Sequence, residues 1–135
     1  MSDYTIDPNS KETQVVGKIP QKILDHFSIN CPNREVQMYP GAIKHLIKHD
    51  HFNIFMSHHR NIPNMIRNPD YVGQNPKEPN SVELYKQLSE TLLVAIKLDP
   101  SGYLYLSSLY DLHNADHKIQ KCLKSGRIIP FSDIE

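Results

Sequence analysis

Four strand-like runs, residues 71–75, 81–88, 92–98 and 103–110, follow one another in the second half of the sequence, separated by NPKEPN, SE and DPSG. Gly, Pro, Asn, Asp and Ser supply the backbone geometry of tight reversals, so consecutive runs are expected to pair as an antiparallel meander. Before the meander the rhythm is mostly helical. Residues 20–27, PQKILDHF, bring Ile23, Leu24 and Phe27 onto one helical face, with Pro20 at a tolerated first-turn position. Residues 34–39, REVQMY, instead alternate Val36 and Met38 against Glu35 and Gln37 until Pro40-Gly41 stops them, the pattern of a strand. Ala42, Ile43, Leu46 and Ile47 then follow the helical period, and a second helix is expected from Phe52, Ile54, Phe55 and Met56, with Asp50 or Asn53 near its cap. Residues 62–66 add a helical turn that Asn68-Pro69 ends. After the meander, 114–124 place Ile119, Cys122 and Leu123 at helical spacing, and Ser125-Gly126 forms a usable C-cap. Helices, then a sheet, then one helix define an α+β fold.

A chain of 135 residues can bury one hydrophobic core but not comfortably two, which gives a single domain over 15–129, a flexible lead at 1–14 and a short tail at 130–135. With 39% hydrophobic and 22% charged residues, the composition is that of a folded chain and not of a disordered one. Thr91 to Ile96, the longest uncharged apolar run, is far shorter than the roughly 20 residues of a membrane helix. The N-terminus has neither a basic start nor an apolar stretch, so a cytoplasmic site of action is the expectation. Cys31 and Cys122 lack CxxC spacing and are expected as free thiols. Zero formal net charge, with a pI near 7.1, argues against a phosphate-binding partner unless Lys, Arg and His are clustered locally.

Lys97 interrupts an otherwise apolar strand. Alternation puts Leu92, Val94, Ile96 and Leu98 on one face and Lys97 on the other; in the next strand Tyr103, Tyr105, Ser107 and Leu109 oppose Leu104, Leu106, Ser108 and Tyr110. If the leucines face the helices, Lys97, Tyr105 and Ser107 share the opposite face, where cross-strand neighbours come within reach. Lys, Tyr, Ser and a histidine are the groups needed to attack a phosphodiester without metal, although each is also ordinary on the solvated face of a strand.

His45 and His49 are four residues apart, with His51 close behind, a spacing that can hold a transition metal but lacks the Glu of HExxH. His58-His59 reads as a solvated helix end. GxGxxG, GxxxxGK[ST] and GxSxG are all absent, which removes support for nucleotide-hydrolysing and acyl-transfer chemistry. Lys121, Lys124 and Arg127 in KCLKSGR either complement a helix dipole or touch phosphate.

Four phrases in order, YPGAIKHLIKH at 39–49, NPDYVGQNPKEPNSVELYKQL at 68–88, LLVAIKLDPSGYLYLSSLYDL at 92–112 and KIQKCLKSGR at 118–127, resemble the phage-type barnase, EndoU, colicin and RelE-like nucleases. The resemblance implies N-terminal helices packed on a four-stranded antiparallel sheet with a C-terminal helix, RNA as partner, and cleavage with no metal or other cofactor. It makes His45 the general acid or base and His49 a second family-like histidine in contact with substrate. Lys97 and Arg127 would stabilise phosphorane-like charge, and Ser107 and Tyr105 would position the phosphate or the 2'-hydroxyl, with Ser108 as the other strand hydroxyl and Lys124 as a further substrate contact. A phage or prophage toxin held in check by an inhibitor follows from the same resemblance. From another class, a non-cleaving phage-encoded protein that binds a host factor, perhaps as a dimer, fits the neutral charge.

Overall fold

The computed structural model describes residues 4–42, 44 and 52–134. Its elements in chain order are β1 (Gln14–Lys18), α1 (Gln21–His26), β2 (Glu35–Met38), α2 (Phe52–His58), α3 (Ile62–Arg67), β3 (Tyr71–Gly73), β4 (Ser81–Gln87), β5 (Thr91–Leu98), β6 (Leu104–Asp111), α4 (Ala115–Ser125) and β7 (Ile128–Pro130). The backbone is also helical at residues 40–42, directly after Tyr39. Among the described residues no helix is long and apolar enough to cross a membrane.

The expected meander is present, with β3, β4, β5 and β6 paired antiparallel in sequence order. The four-stranded sheet and the helices-first layout are not. Seven strands among the described residues form one sheet in the order β1-β2-β6-β5-β4-β3-β7, and β1 precedes every helix. The additional strands depend on non-local pairing that short runs cannot advertise. β2 adds to β6 in parallel through Val36↔Leu104 and Gln37↔Tyr105. β1 then pairs antiparallel with β2, with an irregularity between Val15 and Gly17. At Gly17 a Cβ would stand 2.9 Å from Ile66 Cδ1, so glycine lets α3 close onto this outer strand. β7 has only three residues and ends in proline, too little to show a period.

The sheet separates two apolar clusters. Val82, Leu84, Val94, Ile96, Leu104, Leu106 and Leu109 meet Ile23, Leu24, Phe55, Ile62, Met65 and Ile66 from the N-terminal helices in the main core. Two residues read from sequence as lead and tail, Ile6 and Ile134, are buried there as well. On the opposite face Tyr85, Leu93, Ile119 and Ile128 form a smaller cluster beneath α4. Burying an aliphatic side chain such as Ile119 contributes about 1.5–3 kcal/mol. That contact anchors α4 over the Leu93 end of β5.

Leu109 corrects the simple alternation expected for residues 103–110. The β5–β6 register pairs Ile96 with Leu106 but Ala95 with Ser108, so Ser107 is the extra residue of a bulge. Beyond it the faces exchange. Leu109 enters the main core and Tyr110 joins the cluster under α4, the reverse of the period-two assignment.

Candidate active site

The face of the sheet beneath α4 is covered only over part of its length. Leu93 lies opposite Tyr85 on one side and Tyr110 on the other, and this row is packed under the helix. One same-face step along β5, Ala95 lies between Glu83 and Ser108; a further step brings Lys97 between Ser81 and Tyr105. Same-face residues are spaced by about 7 Å along a strand. Lys97, Tyr105, Ser108 and Glu83 therefore surround a floor made by the small side chain of Ala95, with Ser107 in the bulge beside Ser108. All five are half-buried, in contact with protein and still open to solvent.

Lys97 Nζ donates to Glu78 Oε1 at 3.1 Å, with 36% of the lysine side chain exposed. Glu78 sits in the 75–80 turn, held to β4 by Ser81 Oγ donating to the Glu78 carbonyl at 2.8 Å. Glu78, Asn80, Ser81, Lys97 and Tyr105 line an open hollow of about 210 Å³.

Arg127 comes from the other side. Gly126 caps α4 at φ +78°, a left-handed conformation that suits glycine, and the Arg127 N–H donates to the Cys122 carbonyl at 2.9 Å. Gly73 admits the returning strand: a Cβ there would be 2.7 Å from Ile128 Cγ2 and 2.9 Å from the Arg127 carbonyl oxygen. Arg127 Nη2 donates to Glu83 Oε1 at 2.7 Å, while its buried Nε has no partner. Burial opposes the guanidinium charge, but the hydrogen bond and negative charge of Glu83 outweigh it and raise the pKa. The hydroxyl pKa values of Tyr85 and Tyr110 are raised chiefly by burial and next by Glu83.

Glu83 was missed in the sequence reading, although SVELY carries the signal for it. Alternation puts Glu83 between Ser81 and Tyr85, on the face shared with Lys97. Of the residues expected at the site, Lys97, Tyr105, Ser107 and Ser108 come together, and Arg127 reaches them through Glu83. Lys124 is exposed on α4, whereas Lys121 lines a groove of about 740 Å³ with Phe27, Gln74, Ser125 and Arg127. His45, His49 and His51 lie outside the described residues. Among the described residues no three His, Cys, Asp or Glu side chains gather as metal ligands, and Cys31 and Cys122 are free thiols.

His58 is not at a solvated helix end as its sequence context suggested. It is 7% exposed, with Nε2 2.7 Å from Glu90 Oε2 and Nδ1 3.3 Å from Asn61 Nδ2. The partner in the β4–β5 turn is 32 residues away, so local sequence could not reveal it.

Two cations, each paired with a carboxylate, and the hydroxyls of β6 stand around one shallow floor, where a phosphodiester that displaces Glu78 or Glu83 would meet positive charge. A family model described as "phage-Barnase-EndoU-ColicinE5/D-RelE like nuclease3" matches residues 13–120. The chain belongs to this nuclease family. The family match runs from β1 into α4 and includes Glu83, Lys97, Tyr105, Ser107 and Ser108; Lys124 and Arg127 fall beyond its end. Comparisons with curated proteins and with solved structures give no match.

Proposed function

We propose that this member of the nuclease family is a metal-independent endoribonuclease of phage or prophage toxin type, acting on RNA in the cytoplasm at the open part of the sheet. The observation that carries the reading is Lys97 directly opposite Tyr105, beside the serines of the β6 bulge, on the floor that Glu83 and Arg127 border. Lys97 and Arg127 stabilise charge gained by the phosphate, and Tyr105, Ser107 and Ser108 orient it. The ribose 2'-hydroxyl attacks the adjacent phosphorus and the 5'-oxygen leaves, giving a 2',3'-cyclic phosphate and a 5'-hydroxyl end. In this reading, as the family resemblance implies, His45 is the general acid or base, His49 contacts the substrate and Lys124 is an outer contact. No group in this scheme needs a metal.

The test is incubation of purified protein with total bacterial RNA in EDTA, beside Lys97→Ala and His45→Ala, with end mapping. Cleavage with cyclic phosphate ends, lost in both variants, supports the enzyme. Equal cleavage of DNA of the same sequence would refute 2'-hydroxyl attack.

A second reading, a non-cleaving protein that binds and inhibits a host or defence factor, is favoured by the engagement of both cations, Lys97 by Glu78 and Arg127 by Glu83. Intact RNA, together with partner binding that survives His45→Ala, would select it.

A further inference from the structure

Tyr39, Tyr103 and Tyr105 form a compact aromatic group belonging to neither apolar cluster. Ring centroids are 5.9 Å apart for Tyr39 and Tyr103, 6.1 Å for Tyr39 and Tyr105, and 6.2 Å for Tyr103 and Tyr105. All three are half-buried, so part of each side chain remains open to solvent. Their position follows from the strand pairing. Tyr105 lies between Gln37 of β2 and Lys97 of β5; Tyr103 immediately precedes β6, and Tyr39 immediately follows β2, two residues beyond Gln37. The group therefore continues the row that holds Lys97, on the side away from Glu83.

We infer that Tyr39, Tyr103 and Tyr105 are a stacking surface for an unpaired nucleotide whose neighbouring phosphate is bound at Lys97. This deepens the ribonuclease reading and rests on it for the choice of RNA. Aromatic rings next to a cation suit single-stranded nucleic acid, since every base presents a π-face and every linkage a negative phosphate. The hydroxyls fix the rings beside Lys97, since Tyr103 hydrogen-bonds with both Tyr39 and Asp99. Recognition by stacking tolerates many sequences but requires an unstacked base, so the surface selects unpaired RNA over duplex.

The test uses the full chain with a labelled single-stranded 2'-O-methyl oligonucleotide, which cannot undergo 2'-hydroxyl attack, and compares wild type with Tyr103→Leu and Tyr103→Phe. Tyr103→Leu keeps apolar bulk without a ring and is expected to bind about tenfold more weakly. Tyr103→Phe should bind like wild type. A duplex of the same sequence should bind less tightly than the single strand, and Tyr103→Leu should raise KM for RNA with little change in kcat. Tyr39→Leu provides a second ring deletion if Tyr103→Leu lowers the melting temperature. Wild-type affinity in a folded leucine variant, equal weakening by leucine and phenylalanine, or no binding of the single strand by wild type would each overturn the inference. Cleavage of RNA with KM unaffected by Tyr103→Leu removes the stacking surface and leaves the ribonuclease standing. Ring-dependent binding by a protein that leaves RNA intact does the opposite.

Discussion

Arg127 Nη2 lies 2.7 Å from Glu83 Oε1, joining the residue before β7 to the middle of β4 across the face that carries the candidate site. Only 14% of the Glu83 side chain is exposed, against 34% for Arg127. Removing the carboxylate takes the partner from a half-buried cation whose Nε is already buried without one. Glu83→Ala should lower unfolding free energy by about 2 kcal/mol, the scale of a charge-assisted hydrogen bond, and Glu83→Gln by less because an acceptor remains. Urea unfolding measures both. Equal stability of Glu83→Ala and wild type would show that the pair contributes nothing net.

Lys97 should behave differently. Its ion pair with Glu78 is exposed at both ends, 36% and 46%, and such pairs contribute about 0–1 kcal/mol. Lys97→Ala is therefore expected to unfold within about 0.5 kcal/mol of wild type, while RNA cleavage falls on the order of 100-fold through loss of charge stabilisation at the phosphate. Lys97→Arg restores charge but not the compact ammonium, so recovery should be partial. Full cleavage by a folded Lys97→Ala would remove Lys97 from the mechanism.

The meander was legible because β3, β4, β5 and β6 pair with their sequence neighbours, two of the three connections carrying Pro, Gly, Asn or Asp and the third the short Ser89-Glu90 turn. β1 and β7 were not, since their partners are set by the path of the chain and their lengths are five and three residues. At the site, alternation alone placed Lys97 and Tyr105 together, and their cross-strand register agrees. The same rule failed from Ser108 onward because the bulge at Ser107 adds one residue that no composition signal marks. His58 and Glu90 illustrate the other limit: a polar pair closed over 32 residues is invisible until the fold brings its partners together.

Gly73 and Gly41 make a paired test of how Arg127 is placed. A Cβ on Gly73 would meet backbone at 2.9 Å as well as Ile128, whereas one on Gly41 meets nothing within 4 Å. Gly73→Ala is expected to cost about 1–3 kcal/mol as an overpacked site. It should also reduce RNA cleavage, because β7 must shift and carry Arg127 with it. Gly41→Ala should be neutral or stabilising by up to about 1 kcal/mol, as expected in a helical segment. Thermal melts and cleavage rates of the two variants, measured together, decide it; equal effects would sink the close-approach argument.

Alkaline pH probes the ground under α4. Burial, and after it the negative charge of Glu83, holds the hydroxyls of Tyr85 and Tyr110 protonated above the ordinary value of 10.0. The folded-state pKa exceeds that of the unfolded chain, so this contribution to stability is fully present below about pH 10. As pH rises beyond 10 the unfolded chain loses these protons first, and the contribution is lost progressively through the folded-state pKa. Stability measured by urea unfolding between pH 9 and 11 should thus fall less steeply for Tyr85→Phe than for wild type, with the two similar near pH 7. Absorbance titration of phenolate should show one fewer late-ionising group in Tyr85→Phe. In Glu83→Gln, Tyr85 and Tyr110 should ionise earlier, because the second cause of their shift is gone. Coincident alkaline profiles for wild type and Tyr85→Phe would mean that burial beneath α4 does not govern this hydroxyl.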